Sequence, residues 1–287
     1  MIKSVNYWSY PGGLEGVLSP LDFLKMAHED GFRAVEIGIG EPGSAFGYDA
    51  SEEECRELRR QAEALGVPIL SCASGLYWGR NLASETEEER DGAKSDLERM
   101  ILVTHWLGAK TLLTIPGAVD VFFLPNRRVL DYDFVWNHAT AGLRSLLPLL
   151  EETGVRLGIE NVWNKFLLSP KEMAMFLDQF ASPLIGSYLD VANILPYGYP
   201  DQWVRILGDK IVGVHFKDFR RSVGTADGFV DLLEGDVDWQ AVVTALHQIG
   251  YDGPVPCEMI PTYARHPRVR VQNASRAMDA ILGLAKT

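Results

Sequence analysis

Short apolar runs recur along the chain, separated by longer segments that carry helix signals. The runs occupy residues 2–7, 34–39, 68–72, 111–115, 156–160, 185–190, 211–215 and 255–258. Their starts lie roughly 25–45 residues apart, the size of a strand with its following helix. Ser19-Pro20-Leu21-Asp22 offers an N-cap, a proline at the first helical position and an acid in the first turn. Ser51-Glu52-Glu53-Glu54 has the serine and the third-position glutamate of a capping box. Ser169-Pro170 and Asp238-Trp239 mark two more helix starts, and Gly66 and Gly154 stand where a glycine ends a helix. Leu143, Leu146, Leu147 and Leu150 repeat at i, i+3, i+4, i+7, an apolar helical stripe. The segment 267–286 predicts a closing helix.

Eight such alternations run without a composition break or a low-complexity linker. They predict one domain over residues 1–287, an α/β fold closed as a single (β/α)8 TIM barrel. An open doubly wound sheet is the alternative, and the strand number favours closure. Residues 74–84, 116–129 and 217–236 form the long stretches after the third, fourth and seventh runs. They predict mouth loops at the C-terminal face, where barrels of this kind carry their chemistry.

Composition narrows the field of partners. The chain has 287 residues, 47% of them hydrophobic, enough for a large core, and a formal net charge of −12. An acidic body repels phosphate backbones and anionic lipid, so neither nucleic acid nor membrane is an expected partner. A local pocket for one small phosphate is still compatible with that balance. Cys55, Cys72 and Cys257 are odd in number and far apart, which argues against a disulfide framework. The opening residues show no signal-peptide pattern, and no apolar run approaches the roughly 18 residues of a membrane span. The expectation is a cytoplasmic, reduced enzyme acting on a small molecule.

The candidate chemistry lies at the ends of the late strands. The fifth to eighth runs end in Glu160, Asp190, His215 and Glu258. A parallel barrel carries all four to one rim, where three uncompensated carboxylates would raise one another's pKa. A divalent cation removes that repulsion. Three carboxylates and one imidazole suit Mn²⁺ or Mg²⁺ best, with Co²⁺ and Zn²⁺ as further candidates.

Segments around these residues resemble the xylose isomerase-like sugar isomerase/epimerase superfamily. They are Gly158-Ile159-Glu160-Asn161, Leu189-Asp190-Val191-Ala192-Asn193, Val214-His215-Phe216-Lys217-Asp218, Leu233-Glu234-Gly235-Asp236-Val237-Asp238-Trp239 and Cys257-Glu258-Met259. The resemblance covers essentially the whole chain. It implies that Glu160, Asp190, His215 and Glu258 bind one metal ion, and that Glu160 and Glu258 are also the catalytic acid–base pair of a ketose 3-epimerase. Val5-Asn6-Tyr7-Trp8-Ser9-Tyr10, Asn81-Leu82-Ala83-Ser84 and Trp163-Asn164-Lys165-Phe166 resemble that branch too. Two positions depart from it: Leu167 stands where a glutamate is usual, and Asn193 where a histidine is usual. The implied reaction is proton transfer through an enediolate, with the two glutamates on opposite faces of the reacting carbon of a ketose or ketose phosphate.

The expected substrate-side residues are Tyr7, Glu36, Trp163, Asn193, Lys217 and Arg221. Tyr7 and Trp163, with Trp8 and Trp78, are candidate apolar walls for sugar C–H faces. Glu36 is an acid near the end of the second strand, where the resemblance puts acids close to substrate. Lys217 and Arg221 follow His215, and Arg221 corresponds to a substrate arginine of the ketose epimerases. Arg80 is a weaker candidate of the same kind. Phe122-Phe123-Leu124 is too apolar for a free loop and predicts either a cover for the mouth or contact within a dimer or tetramer. Gly38-Ile39-Gly40-Glu41-Pro42-Gly43 matches a dinucleotide fingerprint, but Pro42 and the cap at Ser51 predict a loop there. Rival functions are a dehydratase of a keto-inositol or related keto-polyol, an aldose–ketose isomerase and a non-catalytic sugar-binding barrel. A phosphodiesterase like the abasic-site endonucleases would need more histidines than the six present, and a basic face.

Overall fold

The computed structural model describes residues 1–124 and 127–284. Eight parallel strands lie in the order β10-β1-β2-β3-β4-β5-β6-β7. They are β1 (Ile2–Asn6), β2 (Ala34–Gly38), β3 (Ile69–Ala73), β4 (Thr111–Thr114), β5 (Arg156–Glu160), β6 (Ile185–Asp190), β7 (Ile211–His215) and β10 (Pro254–Cys257). A parallel bridge between Phe216 and Cys257 closes the ring. There Phe216 N–H donates to Pro256 O at 2.9 Å, and Glu258 N–H donates to Phe216 O at 3.1 Å. A short antiparallel hairpin, β8 (Asp218–Phe219) with β9 (Phe229–Val230), stands in the loop after β7.

One helix follows each barrel strand among the described residues. They are α1 (Pro20–Glu29), α2 (Glu52–Ala64), α3 (Glu87–Trp106), α4 (Tyr132–Thr153), α5 (Pro170–Asp178), α6 (Pro200–Leu207), α7 (Trp239–Gln248) and α8 (Pro267–Gly283). Serine or aspartate side chains cap α1, α2, α5 and α7 at the expected positions, and α2 carries the full capping box. Gly154 ends α4 at φ 68°. Helix α3 starts on a second capping box, Thr86 with Glu89, which pattern reading left unassigned. The end of the expected closing helix, toward Lys286, lies outside the described residues, as do residues 125 and 126 of the expected loop 116–129. The GxGxxG stretch leads into a loop, since α2 begins only at Glu52. No helix among the described residues is long and apolar enough to cross a membrane.

Inside the barrel, one aromatic residue sets the spacing. Tyr188 on β6 is fully buried, and Gly158 on β5 and Gly213 on β7 flank it. A Cβ added at Gly158 would lie 2.8 Å from the Tyr188 ring, and one at Gly213 would lie 2.4 Å from it. Those two glycines let the phenol lie across the interior and reach Glu36 on β2. Gly213→Ala is expected to lower stability by about 1–3 kcal/mol through overpacking. Urea unfolding of the variant measures it, and an unchanged midpoint would refute the packing argument.

Candidate metal centre

Strands β5, β6, β7 and β10 are successive around the closed ring, and each brings one polar group to its C-terminal end. Glu160, Asp190 and His215 are the last residues of their strands, and Glu258 follows the last residue of β10. All four are buried, and one ligand atom from each lies within 4.8 Å of all the others.

Neighbouring groups orient each of them. Asp190 Oδ1 accepts the backbone N–H groups of Ala192 and Asn193, both at 2.9 Å. Asn161 ties the ends of β5 and β6 together. Its amide donates to Asp190 O at 2.8 Å, and its oxygen accepts from Asp190 N at 2.9 Å. The Asn193 amide donates to Glu160 Oε1 at 3.4 Å. His215 Nε2 meets Glu36 Oε1 at 2.5 Å, which fixes the ring and leaves Nδ1 for the cluster. Glu36 in turn accepts the Asn6 amide at 2.7 Å and the Tyr188 hydroxyl. A carboxylate behind a ligating imidazole is a recurrent feature of metal sites, because it sets the tautomer and raises basicity.

Three buried atoms make no hydrogen bond here: Asp190 Oδ2, His215 Nδ1 and Glu258 Oε2. Unpartnered buried polar atoms are expensive, and three converging ones form a donor set for a cation. The Lys217 ammonium lies within ion-pair range of two of them, at 3.0 Å from Asp190 Oδ2 and close against Glu258. Lys217 offsets part of the charge, His215 Nδ1 stays without a partner, and the three carboxylates and one imidazole, Glu160 included, fit a divalent ion.

Electrostatics point the same way. Burial pushes the Glu160 carboxyl up to about 8; Lys217 opposes this, and Glu258 and Asp190 add to it. Burial works against charge on His215, but the charge and hydrogen bond of Glu36 more than offset it and raise the imidazole to about 9. Lys217 also resists burial and is raised, held charged by Asp190, Glu258 and Glu160. Glu36 is lowered despite complete burial, through its charge and hydrogen-bond contacts with His215 and through Tyr188 and Asn6.

An open cavity of ≈ 410 Å³ covers this centre. Glu160 and Glu258 line it, as do Trp163, Asn193 and Lys217, whereas Asp190 and His215 do not. Trp8, Trp78 and Phe229 are part of its wall. Phe122 and Phe123 line it as well: Phe123 meets Trp78 edge-on at 5.1 Å, and Phe122 lies 6.0 Å from Trp163. The Phe122–Phe123 pair is thus at the mouth, one of its two expected positions. Three expected substrate-side residues stand elsewhere. Tyr7 lines a neighbouring cavity of ≈ 330 Å³ and donates its hydroxyl to Leu18 O. Glu36 is enclosed behind His215. Arg221 is exposed beside the hairpin, 3.9 Å from Asp236. Arg80 is engaged by Asp96 through two hydrogen bonds, at 2.7 and 2.8 Å.

Sequence reasoning missed Asn6, Asn161 and Tyr188. Strand alternation held a signal for Tyr188, two residues before Asp190 and so on the same face of β6. Asp218, quoted within a motif, acts as an anchor. Its buried carboxylate accepts from Phe219 N at 2.9 Å, Leu233 N at 2.9 Å, Val237 N at 3.2 Å and Trp239 Nε1 at 3.0 Å.

The fold and the centre together define a barrel of the sugar isomerase type. The chain belongs to the xylose isomerase-like TIM barrel family, whose sequence model matches residues 24–281. It is 26% identical over 277 residues to a putative L-ribulose-5-phosphate 3-epimerase, SgbU, of Escherichia coli K12, covering 94% of each chain. Its fold is similar to that of a D-psicose 3-epimerase from Clostridium cellulolyticum H10, with TM-score 0.80, 16% identity and 99% of both chains covered. It also resembles the IOLI protein, solved with a zinc atom, with TM-score 0.78, 16% identity and 99% and 98% of the chains covered. The enzyme class expected from the sequence is that of these epimerases.

Two binding measurements probe the centre. A divalent ion displaces the proton on Glu160 and one from the His215 imidazolium, so affinity should rise as pH climbs through about 8 to about 9, with proton release in calorimetry. Affinity independent of pH would contradict this. Glu36→Gln should weaken ion binding by roughly 10–100-fold while the fold persists, as expected when the carboxylate behind a ligating histidine is lost.

Proposed function

We propose that the chain is a metal-dependent epimerase acting at C3 of a ketose or ketose phosphate. The observation that carries this reading is the split within the quartet: Glu160 and Glu258 face the cavity, while Asp190 and His215 lie beneath it. The outer two strands of the four supply the glutamates, so they flank whatever the inner pair helps to hold. Two carboxyl groups flanking one carbon are what inversion by proton removal and return requires. The names of the relatives, a ribulose-phosphate 3-epimerase and a psicose 3-epimerase, support the same chemistry.

Glu160, Asp190, His215 and Glu258 would hold the ion, and their oxygen-rich shell suits Mn²⁺ or Mg²⁺. When bound, it polarises the keto oxygen and stabilises negative charge developing there. One glutamate takes the C3 proton and the other delivers a proton to the opposite face. Asn193 orients the Glu160 carboxylate through its amide. Lys217 sets a positive charge beside Glu258 and Asp190, next to the developing oxyanion. Trp163 and the other aromatic walls receive the C–H faces of the sugar and exclude water. Three free, buried cysteines accord with a reducing, cytoplasmic setting.

Proton NMR in D₂O with Mn²⁺ or Mg²⁺ and a panel of ketoses and ketose phosphates is the direct test. Deuterium should enter at C3, and the C3 epimer should accumulate. Uptake at C1 would identify an aldose–ketose isomerase, and loss of water a lyase. Glu160→Gln and Glu258→Gln should each lower turnover by about 10²–10⁴-fold. Near wild-type rates in both would refute the two-carboxylate scheme.

A further inference from the structure

We infer that the substrate is a ketose bearing a second, uncharged sugar ring at its far end, and that this ring binds in a recess beside the mouth. The inference rests on the epimerase reading above and extends it to the part of the substrate that does not react.

The recess has a volume of ≈ 480 Å³ and shares Phe122, Val162 and Trp163 with the catalytic cavity. Leu168, Tyr197 and the turn at residues 224–226 form the rest of its wall. Phe122, Leu168 and Tyr197 are 56%, 46% and 45% exposed, a cluster of large apolar side chains at one rim. Such a cluster is stabilised when something covers it. Trp163 is held rigidly between the two spaces. Its Nε1–H donates to Asn193 O at 3.0 Å, and its ring meets Phe219 and Phe229 at 5.5 and 5.2 Å. A fixed aromatic face suits the C–H face of a sugar ring. Lys165 and Thr225 offer polar groups to its hydroxyls at the same wall.

Reach and size agree. With the reacting carbon between Glu160 and Glu258, Val162 and Trp163 offer the remainder of the substrate a continuous wall from the catalytic cavity to the recess. The two spaces together approach the upper end of the roughly 300–1,000 Å³ typical of ligand sites, more than a single ketose needs. Charge separates a sugar ring from a phosphate. Lys217 is the one cationic residue among those lining the catalytic cavity, and Asp190 and Glu258 engage it. Among the described residues, Lys165 is the one cationic residue lining the recess, and it pairs with Asp120 at 2.6 Å. Lys217 thus stands at the reacting end, beside the quartet, and among the described residues lining the recess no unpaired cation stands where the far end of the substrate would carry a phosphate.

The test compares C3 deuterium exchange by the Mn²⁺-loaded enzyme on D-fructose, 6-O-α-D-glucopyranosyl-D-fructose and D-fructose 6-phosphate. The glucosylated ketose should show a kcat/KM about tenfold or more above D-fructose, the gain of one good aromatic contact. Leu168→Ser should remove much of that gain and leave exchange of D-fructose unchanged, because Leu168 lines the recess and not the catalytic cavity. Equal kcat/KM for the free and glucosylated ketose, or a preference for the phosphate, overturns the recess assignment and leaves the epimerase reading standing. Exchange with none of the three overturns the epimerase reading, and the inference falls with it.

Discussion

Closing eight strands into a ring forces Glu160, Asp190 and Glu258 to share one small buried volume. Burial raises the Glu160 carboxyl far above its usual range, and the neighbouring charges of Glu258 and Asp190 add to that shift. The surrounding groups serve to hold this unfavourable arrangement in place. Backbone amides and Asn161 clamp Asp190, Lys217 places a positive charge against two of the acids, and Glu36 holds His215. The centre is therefore preorganised. Its groups are oriented before any ion or substrate arrives, which is the condition under which electrostatic stabilisation is most effective.

A second layer of polar groups makes this rigidity possible. Asn6, Glu36 and Tyr188 come from three different strands and form one hydrogen-bonded chain beneath His215. A half-satisfied buried network would destabilise the core, but Glu36 receives donors on both oxygens.

Much of this was legible in the sequence, for physical reasons that differ by level. Strand positions showed because each buried run is apolar and each helix start carries its own cap, as at Ser51. The gathering of the four polar strand ends showed because a parallel barrel places every strand end at one rim, so Glu160, Asp190, His215 and Glu258 needed no side-chain geometry to be brought together. Glu36 was visible as a buried acid, but its direction depends on what stands across the barrel, and only the packing of Tyr188 between Gly158 and Gly213 reveals that. Tyr7 and Arg221 illustrate the limit in the other direction. Both lie in segments near the mouth, yet loop paths send one into a neighbouring cavity and the other to the surface.

The anchoring of the last long loop carries a further consequence. A single carboxylate, Asp218, gathers backbone amides from both ends of the segment after β7, and Gly235 permits the approach because a Cβ there would fall 2.0 Å from that carboxylate. The intervening hairpin is thereby a cassette clipped at its base. Its sequence can be exchanged or lengthened while the clip still fixes where the chain leaves and rejoins the barrel. The tip of the hairpin, residues 220–228, can therefore vary while the strand ends that carry the buried quartet keep their place.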